Sequence, residues 1–504
     1  MPDEIHRYDE PSPSGRPRTG AAAVLEVILV VLSAVYLLNF TADGIDRMRA
    51  PYFENDDRWQ GVQIIAAARV LEGKHLFGDY DSEGAYYCYT PLVPLFQAAA
   101  FRFFGPSIPA AKATAFVACL AALLAVAVAA RALTRSSVAA FVAAGIFAAT
   151  YRFTDYWHFN IRPDVFATAF SAWGLVFATR QLKGGTRRPD AMIAGVLFAL
   201  AALSKQNFAL LCLVYTSFVA VRSGIKTAAL AALPALVVIG AVFSWFDTGG
   251  EDMARSLFLM LKQPLKPGYV PADFVTSDLR MIAVPLALAA AAPFAYRSRP
   301  GAAGQNGLWT TMCLAGFVVG LLPFVKEGGC TNAFLFFCAT VAVMSAVAVW
   351  NSAGQRPGCA RGVAPAWLVV PAVFLAIEAV ASFSFYAEKP IEPYLQPASR
   401  FIEKHRDDRI YFPRRNYVTY LASGQYYGDD NMTWHSSLAG LAEPKVVVDM
   451  LQGRYFDYII GDFHSGRLNM IRDANYRRLD SEQLDEFSVY GRREENSPDG
   501  PGEP

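Results

Sequence analysis

Long apolar runs separated by short, mostly basic connectors occupy the chain from Ala21 to Phe385. The first, Ala21 to Phe40, matches the ~20 residues that cross a hydrocarbon core. It is too long for a signal-peptide core and no small-residue cleavage site follows, which predicts an uncleaved first span. Further spans are expected at 109–131, 137–151, 164–180, 190–204, 206–222, 226–246, 281–296, 308–325, 331–350 and 365–386, giving about 11 transmembrane helices. The pattern is that of an α-helical polytopic membrane protein. Residues 1–20 read as a tail facing the cytoplasm and 21–386 as the transmembrane domain.

One apolar stretch, 91–105, is short for a span, carries two prolines and Arg102, and is expected to lie in the interface as an amphipathic helix. With it on the surface, six basic regions fall on one side of the membrane. They hold Arg7, Arg16 and Arg18; Arg131 and Arg135; Arg180, Lys183, Arg187 and Arg188; Arg222 and Lys226; Arg297 and Arg299; Arg356 and Arg361. Beyond the N-terminal tail their only acid is Asp190. That is the distribution of cytoplasmic connectors in a plasma (inner) membrane protein. The opposite, extracytoplasmic side then receives a first outer loop at 41–108, a second at 247–280, and everything after the last span. Strand-like runs (RIYFP, DYIIGD, EFSVYG) in 387–490 predict a small C-terminal α/β domain, with 491–504 a disordered tail.

Composition agrees: 54% of the 504 residues are hydrophobic and 18% charged, against about 25% charged in soluble proteins. The formal net charge of +1 points to no nucleic-acid partner. Of seven cysteines, Cys119, Cys212, Cys313 and Cys338 sit in apolar runs, and Cys88 and Cys330 fall in same-side loops where a disulfide is possible but not required. No spacing suggests zinc.

The charges left over gather on the outer side. Glu54, Asp56 and Asp57 lie within four residues just beyond the first span. They read either as a solvated acidic loop or as a carboxylate that takes a proton from an acceptor hydroxyl or holds a hard cation. The segment from Tyr151 to Asp164 carries Arg152 and Arg162 against the charge bias, so an anion is a fair partner. Its aromatics suit an interfacial belt, His158 is either a polar member of that belt or a base, and Asp164 beside Pro163 suits a helix start. Lys205, in Ser204-Lys205-Gln206-Asn207, sits between two apolar runs, where an ammonium is costly and a phosphate is a natural partner. Lys326-Glu327-Gly328-Gly329-Cys330-Thr331-Asn332 opens a late span, either as glycine amides facing a phosphate or as a tight turn capped by Thr331.

These features in this order resemble the GT-C superfamily of integral membrane glycosyltransferases, near the protein O-mannosyltransferases and the lipid A aminoarabinose transferase. The resemblance runs over residues 21–350: Asp56-Asp57 after the first span, IIAAARVLEGKHLF, Tyr89-Thr90-Pro91-Leu92, Asp164 in RPDVF, Ser204-Lys205, and Lys326 to Asn332. The chain lacks the lysine that the aminoarabinose branch carries in the Tyr-x-x-Pro-Leu element. The resemblance implies inverting transfer of a sugar from a polyprenyl-phosphate donor to a lipid, glycan or protein acceptor. Asp56 is then the expected base with Asp57 its rival, and Asp164 positions acceptor or sugar. Lys205, Arg152, Arg162 and Lys326 face the donor phosphate, and Glu54, Tyr89, His158 and Asn332 contact substrate. No cofactor is required on this reading, although Mg²⁺ or Mn²⁺ is compatible with the carboxylates. The rival is a transporter or flippase, which would place its ionisable groups near the midplane and show repeated halves.

Overall fold

The computed structural model describes residues 20–50, 57–78, 81, 87–183, 188–248, 253–266, 274–296, 303–354, 363–388, 395–428, 430–484 and 487–493. Residues 1–19 of the expected N-terminal tail (1–20) and 494–504 of the expected C-terminal tail (491–504) lie outside these residues. In chain order the membrane part contains α1 (Gly20–Arg49), α2 (Asp57–Leu71), α3 (Leu92–Phe104), α4 (Ile108–Thr134), α5 (Ser137–Ala149), α6 (Pro163–Lys183) and α7 (Arg188–Ser204). It continues with α8 (Ala209–Ser223), α9 (Ile225–Thr248), α10 (Met253–Leu259), α11 (Ala283–Tyr296), α12 (Ala303–Phe324), α13 (Leu335–Gly354) and α14 (Val363–Glu388).

Each of the eleven expected spans falls on a helix. Among the described residues six are long and apolar enough to cross a membrane: Gly20–Arg49, Ile108–Thr134, Ile225–Thr248, Phe274–Ala295, Gly304–Phe324 and Thr331–Ser352. This is a multi-pass membrane protein. The Thr331–Ser352 stretch is almost wholly buried inside the protein, and α13 packs against α4, α5, α6, α11 and α12. Its alanine-, valine- and serine-rich sequence allows that, since small side chains let helices approach where no aqueous driving force exists.

Two loop boundaries differ from expectation. The first helix does not stop at Phe40 but runs to Arg49, because the extra turns satisfy their own polar groups. Arg47 Nε donates to Asp43 at 2.7 Å, the Tyr151 hydroxyl donates to the same carboxylate at 2.8 Å, and Lys112 Nζ donates to the Arg47 carbonyl at 2.8 Å. The outer loop therefore begins after Arg49. The second outer loop is not plain loop either, since α9 extends into it and α10 follows. The 91–105 stretch forms α3, with Val93, Gln97, Ala98 and Phe101 buried and Phe103 and Phe104 exposed at 82% and 78%. Cys88 and Cys330 are both free thiols.

The C-terminal domain holds α15 (Gln396–Lys404), β1 (Ile410–Tyr411), α16 (Asn416–Ser423), α17 (Asp430–Leu438), α18 (Lys445–Gln452), β2 (Tyr458–Ile460), α19 (Gly466–Asn475), β3 (Tyr476–Leu484) and β4 (Phe487–Arg492). The sheet order is β1-β2-β4-β3, with β1 and β2 parallel and the other pairs antiparallel. Ile410 pairs with Tyr458 and Ile459 with Tyr490. The three strand-like runs are β1, β2 and β4; β3 was not foreseen, and β4 carries the domain to Arg492, past the expected end at 490. Tyr411, Val447, Leu451, Phe456, Ile459 and Phe463 form its core. The domain sits directly on α2: a Cβ at Gly61 would lie 2.1 Å from Cδ1 of Tyr417, so only glycine permits this approach.

Candidate active site

Three distant segments meet at Asp164. Proline at the first position starts α6 and puts Asp164 in its first turn. Lys205 follows the end of α7 with extended backbone (φ −150°, ψ 123°) before the 3₁₀ turn Gln206–Phe208, so its side chain leaves the helix axis. Asn332 lies in the 3₁₀ turn Thr331–Phe334. Lys205 Nζ donates to Asp164 Oδ1 at 2.6 Å and Asn332 Nδ2 donates to Oδ2 at 3.0 Å. All three are buried: Asp164 is 2% exposed, Asn332 3% and Lys205 7%. The carboxylate thus lies at the helix start, as expected, and also holds a buried ammonium in place. An ammonium has three N–H donors, so Lys205 keeps donors for another acceptor.

The loop before Asn332 is fixed from the second outer loop. Lys266 N donates to the Val325 carbonyl at 2.9 Å and Glu327 N to the Pro264 carbonyl at 3.0 Å. Lys266 Nζ donates to the Gly329 carbonyl at 2.6 Å. Gly328 takes a positive φ of 74°, and a Cβ at Gly329 would lie 2.1 Å from the Pro323 carbonyl oxygen. The amides of Glu327 and Gly329 are both already donated, the latter to Lys326 O at 2.9 Å. Of the two readings open from the sequence, glycine amides facing a phosphate or a tight turn, these bonds support the tight turn. The capping position belongs to Cys330 rather than Thr331. Lys326 Nζ donates to the Leu261 carbonyl at 3.2 Å, and burial lowers the pKa of its ammonium.

Arg162 lies beside three aromatic rings, with its guanidinium carbon 4.7 Å from the Trp157 centroid, 5.3 Å from Trp59 and 6.0 Å from Tyr89. Such stacking holds a guanidinium flat and weakly hydrated. The segment carrying Tyr89 is tied to the Lys205 segment. Gln206 Nε2 donates to the Cys88 carbonyl at 3.1 Å, and the Thr90 hydroxyl donates to the Ala202 carbonyl at 3.0 Å. Asp57 begins α2; its side chain, and Glu54 and Asp56 entirely, lie outside the described residues.

Two further candidates are placed differently. Arg152 pairs with Glu378 of α14 at 3.3 Å, and that glutamate is 3% exposed. His158 is fully buried among Phe40, Phe147 and Tyr151, and its Nδ1 meets the Thr154 hydroxyl at 2.9 Å. Burial pushes its pKa down to about 3. A neutral imidazole packed in this way belongs to the protein interior.

The residues missed from sequence come from the C-terminal domain. His435 of α17 packs on Trp59 with ring centroids 4.3 Å apart, accepts a hydrogen bond at Nδ1 from the Gln263 amide, and approaches Gly328. Its pKa is pushed down to about 3 by burial first, then by the positive charge of Arg162 and by the neighbouring His464. The domain therefore roofs the site. The Thr433-Trp434-His435 triplet was the available signal, lying unassigned between strand-like runs. Among the described residues no three His, Cys, Asp or Glu side chains are grouped to hold a metal, and both Asp164 oxygens already accept from Lys205 and Asn332.

Residues 89–245 match the family described as dolichyl-phosphate-mannose-protein mannosyltransferase. The chain is similar in structure to ArnT from Cupriavidus metallidurans bound to undecaprenyl phosphate, with TM-score 0.58, 12% identity, and coverage of 94% of this chain and 98% of that one. The chain has the GT-C fold. The same fold carries this chain onto the Archaeoglobus fulgidus oligosaccharyltransferase in complex with Zn and sulfate (TM-score 0.52, 12% identity, 92% and 73% covered). It also matches the mycobacterial arabinofuranosyltransferase AftD (TM-score 0.51, 14% identity, 95% and 40% covered). No curated protein matches the chain in sequence.

Proposed function

We propose that this GT-C protein transfers a sugar from a polyprenyl-phosphate donor to an acceptor hydroxyl at the extracytoplasmic face, with inversion at C1. The observation that carries the reading is the buried Lys205 ammonium, held by Asp164 with Asn332 on the other oxygen. It stands in a fold shared with a protein that binds undecaprenyl phosphate. The basic connectors support eleven spans with the N-terminus in the cytoplasm and the C-terminal domain outside. In the reaction the acceptor oxygen attacks C1 from the face opposite the phosphate, and the C1–O bond to phosphate breaks. The phosphate leaves with that electron pair, and the acceptor's proton passes to Asp56, or to Asp57 as its rival. Lys205 and Arg162 offset the charge that grows on the leaving phosphate, the electrostatic contribution that usually dominates such chemistry. Asp164 and Asn332 position Lys205, and Trp59 and Tyr89 keep Arg162 in place. Any Mg²⁺ or Mn²⁺ would belong with the acidic run at 54–57 rather than with Asp164, whose oxygens are engaged.

The test is incubation of the purified protein with a panel of radiolabelled polyprenyl-phosphate sugars. Wild type should release polyprenyl phosphate, whereas Asp56→Asn should be folded and inactive. Full turnover in both Asp56→Asn and Asp57→Asn removes the assignment of the base. No turnover of any donor by wild type removes the reading itself.

A further inference from the structure

A second buried aspartate lies in the C-terminal domain, close to the roof of the site. Asp430 opens α17 and is 1% exposed. Its Oδ2 accepts from the backbone N–H of His464 at 2.8 Å and from His464 Nδ1 at 2.6 Å. An acceptor at that distance calls for a proton on Nδ1, which leaves Nε2 as the ring nitrogen available to a ligand. The other carboxylate oxygen, Oδ1, is buried with no hydrogen-bond partner among the described residues. Arg414 stands 3.9 Å from Oδ2 and is itself held by the Phe463 carbonyl at 2.8 Å. A buried, half-satisfied carboxylate is costly.

The imidazole so oriented is not sealed in. The His464 side chain is 19% exposed, and Trp434, partly exposed, stacks beside it with centroids 5.6 Å apart and planes 24° from parallel. Trp434 also borders the loop that presents Asn332, since its Cζ3 is 3.8 Å from where a Gly328 Cβ would stand. Next along the helix, His435 contacts Trp59. A flat aromatic surface, a fixed hydrogen-bond acceptor beside it and an adjoining guanidinium form the combination that recognises a sugar ring. The ring's C–H face packs on the aromatic while its hydroxyls meet the polar groups.

We propose that Trp434 and the Asp430-oriented His464 form an acceptor subsite for carbohydrate. His464 Nε2 accepts a hydrogen bond from an acceptor hydroxyl, and Trp434 packs on the ring. The inference rests on the glycosyltransferase reading for its place in the reaction, and it narrows the acceptor from lipid, glycan or protein to a glycan. Asp430 is a positioning residue, since it acts through His464.

Binding is measurable without turnover. The full-length purified protein, titrated with methyl glycosides and followed by tryptophan fluorescence, should bind at least one of them. His464→Ala and Trp434→Ala should weaken that binding by about tenfold or more. His464→Gln retains an acceptor oxygen and should stay near wild type, with thermal unfolding run on every variant to confirm folding. If wild type binds no glycoside at millimolar concentration, or if folded His464→Ala and Trp434→Ala bind as wild type does, the subsite is overturned. Donor turnover separates the two proposals. Glycoside binding that does not depend on His464, with donor release intact, would sink the subsite alone. His464-dependent binding without any donor release would sink the transferase reading alone.

Discussion

Asp164 and Asp430 are equally hidden and differently used. Each is almost wholly buried at a helix start. At Asp164 the two oxygens are taken separately, one by an ammonium and one by an amide. At Asp430 a single oxygen takes both donors of one histidine, and the other oxygen finds none among the described residues. The first arrangement is closed and electrostatic: it fixes a cation whose remaining donors are the useful part. The second is open and directional, because it orients an imidazole whose side chain is partly exposed. Burial alone therefore does not say what a carboxylate is for; the way its oxygens are shared does.

The largest effect is expected from breaking the closed arrangement. Lys205→Met leaves Asp164 as an uncompensated buried charge, which typically costs ~3–5 kcal/mol, and removes the group proposed to face the leaving phosphate. Donor turnover should fall by a factor of about a hundred or more, together with the thermal unfolding temperature. Adding Asp164→Asn should restore much of the stability and little of the turnover. A double variant that regains both would mean that Lys205 is structural. Next comes Gly329→Ala, whose methyl group meets the backbone carbonyl of Pro323, an atom that cannot rotate away. The turn presenting Asn332 should shift, at a cost of about 1–3 kcal/mol, with turnover lowered while the Lys205 pair remains. Gly61→Ala acts on the opposite side of the comparison, by pressing α2 against Tyr417. It should loosen the C-terminal domain, raise its proteolysis in the folded protein, and weaken glycoside binding more than donor release. Equal loss of the two would mean that the domain is needed for the closed arrangement as well.

Much of the closed site was legible in the sequence because its signals are local. A proline beside an aspartate marks a helix start. A lysine between two apolar runs is expensive wherever it falls, and a glycine pair before a span marks a turn. The helices themselves follow from apolar length. What the sequence could not show was pairing. Nothing local says that Asp164, besides lying at its helix start, holds Lys205, or that Arg152 meets Glu378 across the bundle. The roof was legible as strands, yet Trp434, His435 and His464 gain meaning only when α17 is laid against Trp59, a contact between residues almost four hundred positions apart. The short β1 and β2 appeared because β-branched and aromatic residues cluster there. The longer β3, polar along much of its length, gave no such signal.

The smallest effect expected is on pH, and it tests whether the roof is docked as the geometry indicates. His435 accepts from Gln263, so its Nδ1 must be unprotonated, and its pKa is about 3 in the folded protein against 6.5 when exposed. Between those values the unfolded chain binds a proton that the folded one refuses. Its contribution to stability is complete above about pH 6.5 and is lost as pH falls toward 3. His158 acts in the same direction, and titrating carboxylates add their own slopes, so the informative quantity is a difference between variants. His435→Gln keeps an acceptor for Gln263 and cannot titrate. The fall in unfolding temperature between pH 7 and pH 4.5 should be a few degrees smaller in that variant than in wild type. An identical fall would mean that His435 is open to solvent in the working protein, and that the C-terminal domain stands off the site that its α17 is here seen to cover.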